Sequence, residues 1–256
     1  MELDIKPVIV TALFDIGRDK WDNFTQSYGG YIEWMERILS IQAPIVIFTE
    51  EKFKDKIWEK RKPYHTQTEI VLDTKENLLA TQLHWERLSK LMESDDFQNN
   101  KKQFDVPEMT KPWYNIMMFN KLWWLLQASE MTSIDGTHFV WKDAACYREE
   151  VSRWNKPFPT HKLGDKPIFF SHHEKISIEN KQDHVLSQMR FIQGGSFVIP
   201  KGQIEDLGIK YYHKVEECIK GGYIGSDEKI FDLLYLDGVD WDIIKCGWRE
   251  YFEALS

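Results

Sequence analysis

At 256 residues, 42% hydrophobic and 14% aromatic, the chain has the make-up of one large globular domain or one domain with an elaborated lobe. A net charge of −8 with no dense basic block disfavours extended nucleic-acid binding but leaves room for a local phosphate pocket. Cys146, Cys218 and Cys246 are too few, too scattered and odd in number for a disulfide framework or a C-x-x-C metal site, which points to a reducing, cytoplasmic setting.

Met1 to Pro7 lacks both the charged start and the apolar run of a signal peptide, and no stretch approaches membrane-spanning length. A soluble protein is expected, able at most to visit a membrane surface. Pro7 to Phe14 is an apolar, β-branched run, the pattern of a strand buried on both faces. It opens into a polar loop, Asp15 to Asp19, where Arg18 offers a planar fork to phosphate oxygens, although neither G-x-G-x-x-G nor a P-loop is present. Ser27 to Ile41 reads as a helix, with Tyr31, Trp34, Met35, Ile38 and Leu39 on one face. A second buried strand, Pro44 to Thr49, again ends in polar residues. A charged helix follows with Phe53, Ile57 and Trp58 inward, then a third strand at Thr68 to Asp73. Alternating strands and helices predict a parallel sheet with right-handed crossovers.

Glu76 to about Met92 continues as helix, and the polar stretch Ser94 to Gln103 loses the periodicity and reads as a loop. Pro112 starts a helix of roughly five turns, apolar but for Asn120 and Lys121. That lysine is ordinarily a snorkelling solvent residue, and gains interest because the helix leads into the next strand. There Phe139, Val140 and Trp141 are followed by a single acid, Asp143, and by the small Ala144 and Ala145. In open α/β sheets ligands bind beyond the carboxyl ends of strands, so Asp143 is either a ligand contact or a plain turn cap.

Asn155 to Pro159 reads as a loop and Lys166 to Ser171 as a short strand. The neighbouring His172 and His173 lack a third metal ligand nearby. Arg190 to Pro200 is a strand interrupted by Gly194 and Gly195, which signals close approach by a ligand or another backbone, or else a bulge. Gln203 to Lys220 is a helix. Another begins near Gly225, with Ser226 as its expected cap and Asp227 and Glu228 in its first turn, where acids suit the helix dipole. Trp241 to Lys245 and then Gly247-Trp248 lead into a short amphipathic end.

Thr11-Ala-Leu-Phe-Asp-Ile-Gly-Arg18, the Tyr114-to-Lys121 helix and the segment from Trp141 through Asp143 to Arg148 together resemble the HtrL/YibB family over nearly the whole chain. The resemblance extends to Asp227-Glu228 and the Gly247-Trp248 ending. Bacterial members are associated with surface-polysaccharide loci, and the family is similar to GT-A glycosyltransferases. The resemblance therefore implies an α/β, GT-A-like single domain over residues 1–256, with a central mostly parallel sheet flanked by helices. Residues 1–148 would form its nucleotide-binding half and residues 149–256 an elaborated acceptor-side half.

The implied activity is transfer of a sugar from a nucleotide-diphosphate sugar to a hydroxyl of a glycan or polysaccharide. On that pattern Thr11, Ala12, Leu13, Phe14 and Thr49 would hold base and ribose. Arg18, with Lys121 and Arg148 as further fixed cations, would meet the diphosphate, and Trp141 would flank it. Asp143 stands at the first acid of the D-x-D metal motif and Ala145 at the second, so Asp143 would either help hold Mn²⁺ or Mg²⁺, with one carboxylate fewer than usual, or hydrogen-bond the ribose or donor sugar without metal. Gly194 and Gly195 would line the acceptor and donor-sugar pocket, and Asp227 or Glu228 would be the base of an inverting reaction. Two other classes remain open: a nucleotide-sugar or glycan-binding protein without turnover, which Ala145 favours, and a metal-dependent phosphoester hydrolase.

Overall fold

The computed structural model describes residues 4–101, 105–148, 157–173, 177–248 and 250–256. Its strands are β1 (Pro7–Leu13), β2 (Ile45–Thr49), β3 (Thr68–Leu72), β4 (His138–Lys142), β5 (Ile168–Ser171), β6 (Ile192–Pro200) and β7 (Asp242–Lys245). They form one sheet in the order β3-β2-β1-β4-β6-β5-β7. Every neighbouring pair is parallel except those of β6, which runs antiparallel to both β4 and β5. The architecture is the α/β single domain expected, with a mostly parallel central sheet flanked by helices, and strands from both halves of the chain share one sheet.

The helices in chain order are α1 (Tyr28–Leu39), α2 (Glu51–Arg61), α3 (Leu79–Glu93), α4 (Asp95–Asn100), α5 (Pro107–Thr110) and α6 (Pro112–Phe119), then α7 (Lys121–Met131), α8 (Lys181–Val185), α9 (Ile204–Lys220), α10 (Asp227–Leu236) and α11 (Tyr251–Leu255). Strand periodicity sorts the core into two layers. Val8 and Val10 of β1, Phe139 and Trp141 of β4 and Phe197 and Ile199 of β6 pack against α3, α6, α7, α9 and α10. Ile9 and Leu13 of β1, Val140 of β4 and Val198 of β6 pack against α1, α2 and α11. None of the helices, among the described residues, is long and apolar enough to cross a membrane.

Several elements differ from expectation for identifiable reasons. Trp58 is exposed, and the third inward residue of α2 is Arg61. Its guanidinium donates to the carbonyls of Leu39 and Ile41 at 2.8 and 2.9 Å and of Ala43 at 3.0 Å, satisfying the end of α1 as a glycine cap would. Within the stretch read as loop, Ser94 accepts from Phe97 N at 3.3 Å, caps the short α4 and lets Phe97 bury; residues 102 and 103 lie outside the described residues, as do 155 and 156 of the later loop. The five-turn helix is two helices, α6 and α7, meeting at Asn120. Ser226 stands at the start of α10 without a side-chain cap hydrogen bond.

The glycine strand does bulge. Ile168 pairs with Val198 while Phe170 pairs with Gln193, so five steps along β6 span two along β5. The backbone is drawn close to side chains: a Cβ on Gly194 would lie 2.4 Å from Asp227 Oδ2, and one on Gly195 2.9 Å from the Tyr251 hydroxyl. At this position the close approach is made by the carboxylate of α10.

Candidate functional site

The sheet order reverses between β1 and β4, and a cavity of about 220 Å³ opens beyond their carboxyl ends. Ala12, Leu13 and Phe14 form its wall from β1, Trp141 and Asp143 from β4, and Gly194 and Gly195 from β6. Lys121 enters from the start of α7, and Asp227 and Glu228 from the start of α10, with Arg18 and Arg148 completing the lining. Twelve of the fourteen site residues expected from the sequence thus meet in one place.

Thr11 and Thr49 stand outside it. Thr11 is wholly buried within β1, one residue short of the wall that Ala12, Leu13 and Phe14 form at the strand end. Thr49 is also wholly buried, its hydroxyl donating to the carbonyl of Leu13 at 2.8 Å, so it supports the wall from behind.

The centre of the site is an internal ion cluster. Lys121 Nζ is 2.7 Å from Asp227 Oδ2, 2.9 Å from Asp143 Oδ1 and 2.9 Å from the carbonyl oxygen of Gly194. Three acceptors match the three donors of an ammonium group. Burial opposes its charge, but Asp143 and Asp227 together more than offset that and hold its pKa above the ordinary lysine value. Asp143 Oδ1 also accepts from the indole Nε1 of Trp141 at 2.7 Å. Trp141 lies flat on Trp124 at 5.6 Å with 6° between planes, which fixes the donor's direction.

Glu228 sits one residue beyond Asp227 and does something different. Its Oε1 accepts from Gly194 N at 3.0 Å, and its Oε2 is 3.2 Å from Arg190. Burial raises its pKa to about 7; Arg190 pulls it down and the neighbouring Asp227 pushes it up. Asp227 too is raised, first by burial, with Lys121 acting the other way. A buried carboxyl near neutrality in a cavity has the protonation behaviour a general base requires.

The D-I-G-R run has a physical logic. Asp15 Oδ1 accepts from Gly17 N at 2.8 Å in an Asx turn, and Gly17 adopts φ +77, a conformation open to glycine. Lys52, 2.6 Å away, and the hydrogen bonds from Gly17 N and Tyr28 overcome partial burial and hold the Asp15 carboxyl down at about 2. The turn delivers Arg18, whose guanidinium carbon lies 5.5 Å from the centre of the Tyr31 ring and 5.8 Å from that of Tyr114. The Tyr28 hydroxyl accepts from Ile16 N at 2.8 Å. Arg148 lies over the Trp34 ring at 4.4 Å.

Sequence reasoning missed Tyr28, Tyr31, Tyr114, Arg190, Ser226 and Trp248 on the cavity wall. Helical spacing marked Tyr31 as a core residue and position marked Ser226 as a cap, Tyr114 and Trp248 lay in segments that carry the resemblance without a role of their own, and nothing local distinguishes Tyr28 or Arg190. Ser226 Oγ is buried without a hydrogen-bond partner.

The donor set does not suit a resident divalent cation. Among the described residues there is no group of three or more His, Cys, Asp or Glu placed to hold a metal. Asp143 and Asp227 share the ammonium of Lys121, which takes the place a cation between them would occupy.

A family model described as "Bacterial protein of unknown function (HtrL_YibB)" matches residues 6–256. Protein HtrL of Escherichia coli (strain K12) is 23% identical over 265 residues, covering 96% of this chain and 90% of the relative. Among solved structures, the glycosyltransferase GlyE of Streptococcus pneumoniae TIGR4 superposes with a TM-score of 0.45 at 10% identity, over 94% of this chain and 45% of that one. The 4-diphosphocytidyl-2C-methyl-D-erythritol synthase of Anaerococcus prevotii DSM 20548 gives 0.44 at 10% identity, over 96% and 88%. Mouse xyloside xylosyltransferase 1 in its apo form gives 0.42 at 8% identity, over 92% and 83%.

Proposed function

The chain belongs to the HtrL_YibB family, and from its site we propose that it is a glycosyltransferase moving a sugar from a nucleotide-diphosphate sugar to a hydroxyl of a glycan or polysaccharide. One observation carries the reading. A cavity at the switch point of the sheet joins two guanidinium groups, Arg18 and Arg148, to a buried carboxyl with a pKa near neutrality, Glu228.

In this reading the nucleoside lies along Ala12, Leu13 and Phe14, and the diphosphate faces Arg18 and Arg148. As the bond between the anomeric carbon and the diphosphate oxygen breaks, the growing negative charge is stabilised by these fixed guanidinium groups. Asp143, its side chain 31% exposed against 2% for Lys121 and 3% for Asp227, is the most open member of the ion cluster and accepts a hydrogen bond from a hydroxyl of ribose or donor sugar. Glu228 takes the proton of the acceptor hydroxyl as that oxygen bonds to the anomeric carbon, an inverting displacement. Asp227, expected beside it as an alternative base, is committed to Lys121 and acts by holding that cation and the β6 backbone in place. Mn²⁺ or Mg²⁺ has no step in this scheme, because the described residues do not make its site.

A nucleotide-sugar-binding protein without turnover is the second reading, favoured by Ala145 at the position of the missing acid. Thermal shift against nucleoside diphosphates and their sugars, with and without Mn²⁺, tests the donor site, since a ligand selective for the native state raises the melting temperature. A shift with one nucleotide family, diminished in Arg18→Ala, supports the proposal; no shift with any of them overturns it. Donor hydrolysis in the shifted sample separates catalyst from binder.

A further inference from the structure

A second cavity, about 380 Å³, adjoins the first and shares three of its residues, Arg190, Glu228 and Trp248. Its own residues include His172, Gln188, Ile192 and Gln193. Glu228 therefore stands in the partition between the two cavities. Resting on the transferase reading, we propose that this second cavity is the acceptor site and that its occupant is an uncharged saccharide.

Three features specify that chemistry. The first is an aromatic platform. Trp248 is 46% exposed and lies 6.0 Å from the His172 ring with 24° between planes, so one edge of the concavity is a supported, solvent-facing indole. A flat aromatic of this kind suits the apolar C–H face of a pyranose. The second is an orphan acceptor. Gln193 is only 2% exposed, and its Nε2 donates to the carbonyl of Cys246 at 3.2 Å, while its Oε1 has no hydrogen-bond partner. A buried carbonyl oxygen left unpaired is costly, and a ligand hydroxyl is a donor of the right kind to relieve it. Gln188 adds a second amide on the same wall.

The third feature is charge. Among the described residues, the two charged groups that line this cavity, Arg190 and Glu228, are paired at 3.2 Å, and Arg190 also pairs with Glu108. The described lining therefore offers no uncompensated charge that would select a phosphate or an acid, which favours a neutral, hydroxyl-rich ligand. A saccharide resting on Trp248 would bring a hydroxyl to Glu228 from the side opposite the donor.

The test is saturation-transfer NMR on the full-length protein with the methyl glycosides of glucose, galactose, mannose and N-acetylglucosamine at millimolar concentration. Nucleoside diphosphate binding is measured on the same samples by thermal shift. The expected result is saturation of at least one glycoside, weakened about tenfold in Trp248→Ala and also in Gln193→Leu, with the nucleotide shift of Gln193→Leu unchanged. Trp248 is half exposed, so its replacement tests the site without unfolding the chain. A nucleotide shift with no glycoside saturated, or with saturation indifferent to both substitutions, overturns the acceptor site alone. Absence of a nucleotide shift overturns the transferase reading, and Trp248-dependent glycoside binding in that sample still supports a saccharide cavity.

Discussion

Replacing Lys121 by methionine removes the cation from the internal cluster while nearly conserving side-chain volume. Three hydrogen bonds of 2.7, 2.9 and 2.9 Å are lost from a side chain that is 1% exposed. The larger effect is on what remains. Asp227, 2% exposed, would be left as an uncompensated buried charge, and breaking a buried pair by removing one partner costs about 3–5 kcal/mol. In a domain of this size each kcal/mol corresponds to roughly 2–4 °C, so the melting temperature should fall by about 6–20 °C. Urea denaturation of wild type, Lys121→Met, Asp227→Asn and the double variant gives the coupling directly. The double variant should recover more than about 1 kcal/mol relative to the sum of the single losses, because a neutral amide no longer needs the ammonium. Lys121→Met costing less than about 1 kcal/mol, or showing no recovery, would refute the view that this ion cluster organises the site.

Glu228→Gln should abolish transfer while leaving nucleotide binding intact. Because burial lifts the folded pKa to about 7, the carboxyl is protonated at lower pH, so wild-type transfer should rise through pH 7 and that limb should vanish in the variant. Gly194→Ala places a methyl 2.4 Å from Asp227 Oδ2, and the forced displacement should cost about 1–3 kcal/mol in urea denaturation and most of the activity. Lys142 donates to the Tyr147 and Ser196 hydroxyls on the opposite face of the sheet, and burial lowers its pKa to about 8. Between pH 8 and 10.5 the unfolded chain holds the proton that the folded one has released, so stability should climb with pH over that window. Lys142→Met should lose this climb relative to wild type; parallel profiles for the two proteins would show that Lys142 does not titrate there.

The first half of the fold was legible because its signals are local. Buried strands such as Ile45–Thr49 are short apolar runs, and amphipathic spacing marks α1 and α9 from sequence alone. The site was legible wherever strand ends met polar residues, as at Arg18 and Asp143. What failed to show depends on contacts distant in sequence. Thr49 looked like a ligand contact by position, but its hydroxyl is consumed by β1 across the ladder. Gly194 announced a close approach without saying that a helix thirty-odd residues later would make it. Arg190 and Trp248 lie in segments with no periodicity, and only folding brings them beside Glu228. Lys121 was expected to face the diphosphate, and its pairing with Asp143 and Asp227 did not show because neither partner lies on its own helix.

Asn120, where the long helix divides, couples a distant helix start to the site. Helix α3 begins after Leu78, a residue with no side-chain acceptor for its orphan amides. Asn120 Oδ1 supplies one, accepting from Ala80 N at 3.1 Å across forty residues of chain. The start of α3 is thus completed only after α6 and α7 have docked, and the residue that completes it is covalently next to Lys121. Exchange of the Ala80 amide with solvent deuterium would therefore report on the integrity of the ion cluster. The same contact ties the first turn of α3 to the residue that adjoins the site's central cation.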